Sequence, residues 1–171
     1  MEISQGGIDK IMQRGGKAAA DRIAPLRAEV QQSAVVHCDE TGSRVDGQNW
    51  WEWIFCATTA VLHVIRSNRS VDVIKDVMAG HEAEVWVSDC YSAQMKAPSQ
   101  ERQLCLAHQL RNLQAVVEQY PDTFWPRAMQ AVFRAAIHTY NQSDRLSPPE
   151  FQAQVQRIER LFAWLLDRSL E

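Results

Sequence analysis

The chain lacks the features that mark membrane, secreted and disulfide-rich proteins. No apolar run approaches the roughly 20 residues that span a bilayer, and residues 1–5 show no basic region followed by an apolar stretch. We therefore expect neither a membrane span nor a secretory signal. The cysteines lack the spacing of a small secreted domain, which favours reduced thiols and a cytoplasmic location. There are four of them: Cys38, Cys56, Cys90 and Cys105.

An excess of positive charge is also missing. The formal net charge of the 171 residues is −3 and the pI is about 6.0. These values argue against a protein whose whole surface grips nucleic acid, although they allow a local basic groove. With 46% hydrophobic and 23% charged residues, the composition is ordinary for a globular protein with a substantial core.

The apolar periodicity divides the chain into helical, mixed and helical stretches. Residues 1–32 predict N-terminal helices, interrupted by Gly15-Gly16, with Pro25 in the first turn of a second helix. Residues 33–106 predict strands with one intervening helix that begins after Ser70. Five β-rich runs are the predicted strands: 34–38, 50–57, 61–65, 84–88 and 103–106.

Residues 107–171 predict a block of helices. The sequence Ser147-Pro148-Pro149-Glu150 has the pattern of a capping box with proline at the first helical position, which is a specific sign of a helix start. Strands with a crossover helix, flanked by helices, indicate α/β layering. No internal repeat or low-complexity segment interrupts this organisation.

Two of the predicted strands lead into an aspartate. Asp39 follows the apolar run of block 35–42, and Asp89 follows that of block 85–91. If the two strands are neighbours, both carboxylates converge, and such oxygen donors suit Mg²⁺ or Mn²⁺ in phosphoryl transfer. Either aspartate alone would be better explained as a turn residue, and the two together, each in a longer distinctive block, favour the metal site. Glu40 should point to the opposite face of its strand, and Thr41-Gly42 should form the turn that follows.

Three blocks of this region resemble those of a known family. In the same order and with compatible gaps, they are similar to blocks of the insertion-sequence sixty-six family of bacterial transposases. The blocks are 37–42 (HCDETG), 88–93 (SDCYSA) and 105–111 (CLAHQLR). The leading segment, with Ile3-Ser4 and residues 15–19, also resembles the segment that precedes the catalytic core in that family.

The resemblance implies a ribonuclease-H-like fold with an Asp-Asp-Glu metal site. Asp39 would be the first acid, on the first strand, and Asp89 the second, on the fourth. The implied reaction cleaves DNA at the element's ends, and the freed 3′ hydroxyl then attacks target DNA. It also implies Mg²⁺ or Mn²⁺, transposon-end and target DNA as partners, and a homo-oligomer in the full-length protein.

The third acid of that family does not appear in this sequence. It belongs to an Asn-Asn-x-x-Glu block downstream of a helical insertion, which residues 107–171 resemble. We therefore expect a fragment that ends before the third acid. Glu150 is explained as a helix cap and Glu159 as a surface residue, so neither is assigned as the third ligand.

The remaining candidate residues are less specific. Resemblance places His108 and Arg111 near the active centre or a DNA phosphate, and Arg66 is a plausible phosphate contact, as are Arg69 and Arg102. Two alternatives stay open. The chain could be an inactive remnant that binds DNA or a transposase subunit, or a metal-binding module built on Cys105, His108 and other thiols. Tryptophans 50, 51 and 53 could stack on bases but are typical of an ordinary strand.

Overall fold

A computed structural model describes residues 4–168 of the chain, which divides into two compact units between Leu104 and Cys105. The first unit contains two helices and five strands. In chain order these are α1 Gln5–Gln31, β1 Val35–Val45, β2 Gln48–Cys56, β3 Val61–Arg66, α2 Val71–Met78, β4 Ala83–Ser88 and β5 Ser99–Leu104. The second unit contains α3 Leu106–Gln119, α4 Phe124–Asn141 and α5 Pro148–Leu166.

The five strands form one mixed sheet in the order β3-β2-β1-β4-β5. Strands β1, β2 and β3 are antiparallel neighbours, whereas β4 is parallel to β1 and β5 is parallel to β4. The predicted α/β class and the predicted order of strands and helices are confirmed. The prediction that the second and third strands pair in antiparallel fashion is confirmed as well.

The predicted end of β1 and the predicted start of β5 are wrong. Strand β1 continues to Val45, because β2 pairs with it from His37 onward, and Thr41-Gly42 therefore lie within the strand instead of forming its turn. The turn is Asp46-Gly47, where both residues adopt the positive φ that a tight hairpin needs. Strand β5 begins at Ser99, since the neighbouring β4 supplies the ladder there.

The N-terminal region is also simpler than predicted. Residues 5–31 form one helix with Pro25 inside it, and Gly15-Gly16 do not interrupt it. A glycine costs only about 1 kcal/mol relative to alanine in a helix. The good helix formers on either side therefore outweigh it. Ser4 caps the helix by accepting a hydrogen bond from the N–H of Gly7.

The core of the first unit lies on one face of the sheet. Alternate residues of β1 point into it, and the aromatic rings of Trp53, Phe55 and Trp86 occupy its centre. Helix α2 contributes its buried face, and the end of α1 contributes Val30 and Leu26. Burying each large apolar side chain in this way is worth about 1.5–3 kcal/mol. Because alternate residues of β1 point into this core, the residues between them, including Asp39, lie on the opposite, exposed face.

The second unit has a smaller core. Its core cluster contains the buried side chains of Leu113, Met129, Val132 and Leu165. The predicted helix start before α5 is confirmed: the Glu150 carboxylate accepts hydrogen bonds from the backbone N–H and the hydroxyl of Ser147. These hydrogen bonds lower the pKa of Glu150. None of the helices within residues 4–168 is both long and apolar enough to cross a membrane.

Candidate functional site

Of the two aspartates that the sequence singled out, one lies on β1 and the other directly after the neighbouring strand β4. Asp39 is in the middle of β1, and its side chain is on the exposed face because Cys38 and Glu40 on either side are buried. Strand β4 runs parallel to β1, with His37 paired to Val87. This ladder ends at that pair, and β4 ends at Ser88, so Asp89 is the first residue after the strand. The parallel pairing makes the two strands that lead to the aspartates neighbours, and adjacent strands lie about 4.8 Å apart.

A backbone N–H orients each carboxylate. Asp39 Oδ1 accepts a hydrogen bond of 2.9 Å from the N–H of Glu40. Asp89 Oδ1 accepts one of 2.9 Å from the N–H of Tyr91, in a turn that follows β4. Both acids therefore take their orientation from a residue within their own block.

The donor set suits a hard divalent cation. Mg²⁺ is commonly bound by one or two carboxylates while it keeps several of its waters, and the paired oxygens of Asp39 and Asp89 match that requirement. Across residues 4–168, however, no three side chains of His, Cys, Asp or Glu are grouped so that they could hold a metal ion. The predicted Cys/His module therefore has no closed set of ligands in this part of the chain, since a structural zinc site needs four.

Glu40 lies on the opposite face from Asp39, as predicted, and it is fully buried there. Its Oε1 forms an ion pair of 2.6 Å with the Arg69 guanidinium. Its Oε2 accepts a hydrogen bond from the side-chain amide of Gln94, which is also buried. This buried polar group is what the sequence analysis missed. A glutamate on the buried face of a strand is usually paired with a positively charged side chain. The predicted burial of the Glu40 face was therefore the sign that an arginine or lysine should lie beside it.

The Arg69 side chain is held on two sides by aromatic rings. Its guanidinium carbon lies 3.7 Å from the ring centroid of Tyr91 and 4.7 Å from that of Trp51. The Tyr91 hydroxyl also donates a 2.9 Å hydrogen bond to the Arg69 carbonyl oxygen. Arg69 was predicted as a possible phosphate contact, but the structure engages its guanidinium with Glu40 and two rings.

The other predicted basic residues lie apart from the aspartate pair or in the second unit. Arg66 ends β3 on the same side of that strand as the buried Leu62 and Val64, and it pairs with Asp76 of α2 at 2.9 Å. That side is opposite to the face that carries Asp39. His108 and Arg111 lie in the first two turns of α3, in the second unit. The DNA-binding roles of these residues stay predictions.

The protein-family model described as "Transposase IS66 family" matches residues 1–168 of the chain. The chain belongs to the IS66 transposase family. This is a family of DDE-type transposases, enzymes of phosphoryl transfer on DNA, so the predicted family is confirmed. Among curated proteins, none matches the chain.

Two solved structures show a distant likeness to this IS66-family chain. One is an intasome of simian T-cell lymphotropic virus in complex with the PP2A regulatory subunit B56 gamma, with 8% identity and a TM-score of 0.33. The match covers 53% of this chain and 43% of the chain in that structure, so this chain spans less than half of its length. The other is the HTLV-2 integrase catalytic core domain with magnesium, in a trimeric form. It has 12% identity and a TM-score of 0.34, over 68% of this chain and 90% of that one.

The fold of the first unit agrees with the class that the resemblance implied. Three antiparallel strands are followed by two strands parallel to the first, with helices against the sheet, which is the arrangement of a ribonuclease-H-like mixed sheet. Asp39 lies on its first strand and Asp89 directly after its fourth.

Proposed function

We propose that this chain takes part in metal-dependent cleavage and strand transfer of DNA during transposition, with Asp39 and Asp89 as metal ligands. The observation that supports the proposal most directly is the parallel pairing of β1 and β4, which makes neighbours of the two strands that lead to Asp39 and Asp89. Membership of the IS66 family supplies the class of reaction.

The chain's own contribution would be to hold and orient the cation. Asp39 presents its carboxylate from the rigid middle of β1, and Asp89 presents its carboxylate from the turn after β4. A DNA phosphate would bind on the exposed face of β1, which carries Asp39. Bound Mg²⁺ or Mn²⁺ would activate the attacking water or 3′ hydroxyl and neutralise the leaving oxygen. The DNA ends, the target DNA, a homo-oligomeric assembly and the bacterial cytoplasm as its place are part of this proposal.

Metal titration tests the aspartate pair. We expect the purified chain to bind Mn²⁺, measured by calorimetry or by the electron paramagnetic resonance of free Mn²⁺. Asp39→Asn and Asp89→Asn should each weaken that binding at least about tenfold, because each removes a charged oxygen donor. Asp46→Asn is the matched control: it makes the same change of charge at the β1–β2 turn, where asparagine also tolerates positive φ. Unchanged Mn²⁺ affinity in both site variants would contradict the proposal.

The absence of a third grouped carboxylate within residues 4–168 favours a second candidate function, binding without catalysis. A two-metal centre for strand transfer requires more donors than two aspartates. We therefore expect residues 1–171 alone to bind a DNA duplex, detected by fluorescence anisotropy, without joining strands in Mg²⁺. Joined products on a denaturing gel, abolished by Asp89→Asn, would show that the chain is catalytically complete and would exclude this candidate.

A further inference from the structure

We propose that Arg69 is a positioning residue that ties the Asp39 block to the Asp89 block through Glu40 and Tyr91. The proposal rests on the proposed metal pair. It concerns a side chain on the face of β1 opposite to Asp39, in the connection between β3 and α2. Arg69 would touch neither the cation nor the DNA, and it would act only through the placement of the two carboxylates.

Each carboxylate is oriented by the backbone N–H of a nearby residue whose side chain makes contacts of its own. The N–H of Glu40 binds Asp39 Oδ1, and the N–H of Tyr91 binds Asp89 Oδ1. Any displacement of residue 40 or of residue 91 therefore turns one of the two carboxylates.

Glu40 and Tyr91 both contact Arg69. The Arg69 Nε donates to Glu40 Oε1 at 2.7 Å, and the guanidinium also forms the 2.6 Å ion pair with that oxygen. Tyr91 contacts the same arginine twice, through its ring at 3.7 Å and through its hydroxyl, which donates to the Arg69 carbonyl. One side chain thus connects the two blocks, which are 50 residues apart in sequence.

The connection from Glu40 through Arg69 to Tyr91 is held in place by buried polar contacts. Glu40 is fully buried, so loss of its partner would leave an uncompensated charge in the core. Its second oxygen is occupied by Gln94, whose own oxygen accepts a 3.0 Å hydrogen bond from the buried Trp86 indole. A network in which every member is satisfied has one favoured arrangement. The positions of residues 40 and 91 are therefore set together.

The test separates positioning from simple stabilisation. Arg69→Lys keeps the positive charge but loses the planar group that stacks between two rings and pairs with Glu40. Tyr91→Phe keeps the ring and removes the hydroxyl bond. The double variant Glu40→Gln/Arg69→Met removes both charges, a replacement that buried pairs often tolerate in stability. Arg27→Lys is the matched control, because Arg27 of α1 is an arginine that forms an ion pair of 3.8 Å with the exposed Asp76 of α2.

Two readouts are made on the full chain: Mn²⁺ affinity, and the exchange rate of the Tyr91 amide without metal. We expect Arg69→Lys and the double variant to weaken Mn²⁺ binding about tenfold, as loss of a group that supports a metal ligand does. Tyr91→Phe should have a smaller effect, and Arg27→Lys should leave the affinity unchanged. The Tyr91 amide should exchange faster in Arg69→Lys than in Arg27→Lys at equal global stability.

The outcomes distinguish this inference from the proposed function. Wild-type Mn²⁺ affinity and wild-type Tyr91 exchange in Arg69→Lys, with binding lost in Asp39→Asn, would overturn the role of Arg69 and leave the metal pair standing. Undiminished binding in Asp39→Asn would instead overturn the metal pair. In that case, faster Tyr91 exchange in Arg69→Lys still supports the tie between the blocks, and unchanged exchange overturns it.

Discussion

Adjacent residues of β1 occupy opposite chemical environments. Asp39 is exposed, while the Cys38 side chain before it is buried against Gln94. Burial raises the pKa of the Cys38 thiol, the hydrogen bond from Gln94 opposes the shift, and the nearby Glu40 and Asp39 carboxylates add to it. Strand alternation alone thus turns one residue into a candidate ligand and its neighbour into an inert thiol.

This contrast predicts selective alkylation. At about pH 8.5, near the usual pKa of a free thiol, we expect iodoacetamide to modify the exposed Cys90 and to leave Cys38 unmodified. The sign follows from the raised pKa, because Cys38 stays protonated and only the thiolate reacts. Peptide mass spectrometry measures the modification, and the unfolded chain, in which both thiols react, is the control. Alkylation of native Cys38 as fast as that of Cys90 would contradict the assignment.

At the scale of elements, α2 shows how local chemistry fixes a helix that carries no candidate ligand. Ser70 caps it by accepting a hydrogen bond from the N–H of Asp72, as the sequence predicted. The helix ends in two successive residues of positive φ, Ala79 at 48° and Gly80 at 87°. Only the second is a glycine, so Ala79 adopts a conformation that its Cβ disfavours.

Replacing this alanine should therefore stabilise the protein. We expect Ala79→Gly to raise the free energy of unfolding by about 0.5–1 kcal/mol, because relief of the left-handed strain exceeds the added entropy of the unfolded chain. Gly80→Ala should lower it by about 1–2 kcal/mol for the converse reason. Urea unfolding measures both variants. A lower stability for Ala79→Gly would show that the strain at this position is negligible.

At the scale of the whole molecule, the two units differ in how much core they contain. The core of residues 4–104 involves all of β1 to β4 together with α1 and α2, including three large aromatic side chains. The core cluster of residues 105–168 has four buried apolar side chains with four partly buried ones packed against it, and Phe124, Tyr140 and Trp164 of that unit are exposed. Less apolar surface is thus removed from water in the second unit.

This difference predicts that the units open at different free energies. Under native conditions with increasing urea, amides of α3, α4 and α5 should exchange at lower urea than those of β1, β2 and β4. Hydrogen exchange followed by mass spectrometry measures each segment, and Leu165→Ala should promote exchange in the helical unit alone. A single transition that includes every segment at one urea concentration would contradict this expectation.

The sequence by itself determined what depends on neighbours in the chain. Periodicity identified the strands, the order of elements and the α/β class, and capping chemistry located the starts of α2 and α5. Alternation placed Glu40 on the face opposite to Asp39, and the three blocks identified the family. These features could be predicted because hydrogen-bond partners and side-chain directions within one element are local. The prediction that Gly15-Gly16 interrupt the N-terminal helix was wrong, because the helix-favouring residues around these glycines outweigh their small cost.

Only the tertiary structure decided what depends on residues far apart in sequence. The length of β1 followed from its pairing with β2, and the parallel pairing of β4 with β1 made neighbours of the two strands that lead to Asp39 and Asp89. The meeting of Glu40 and Tyr91 at Arg69 could not be predicted, because the sequence does not show which of the arginines pairs with the buried carboxylate. The sequence named the two acids, and the packing beneath them decided how they are held.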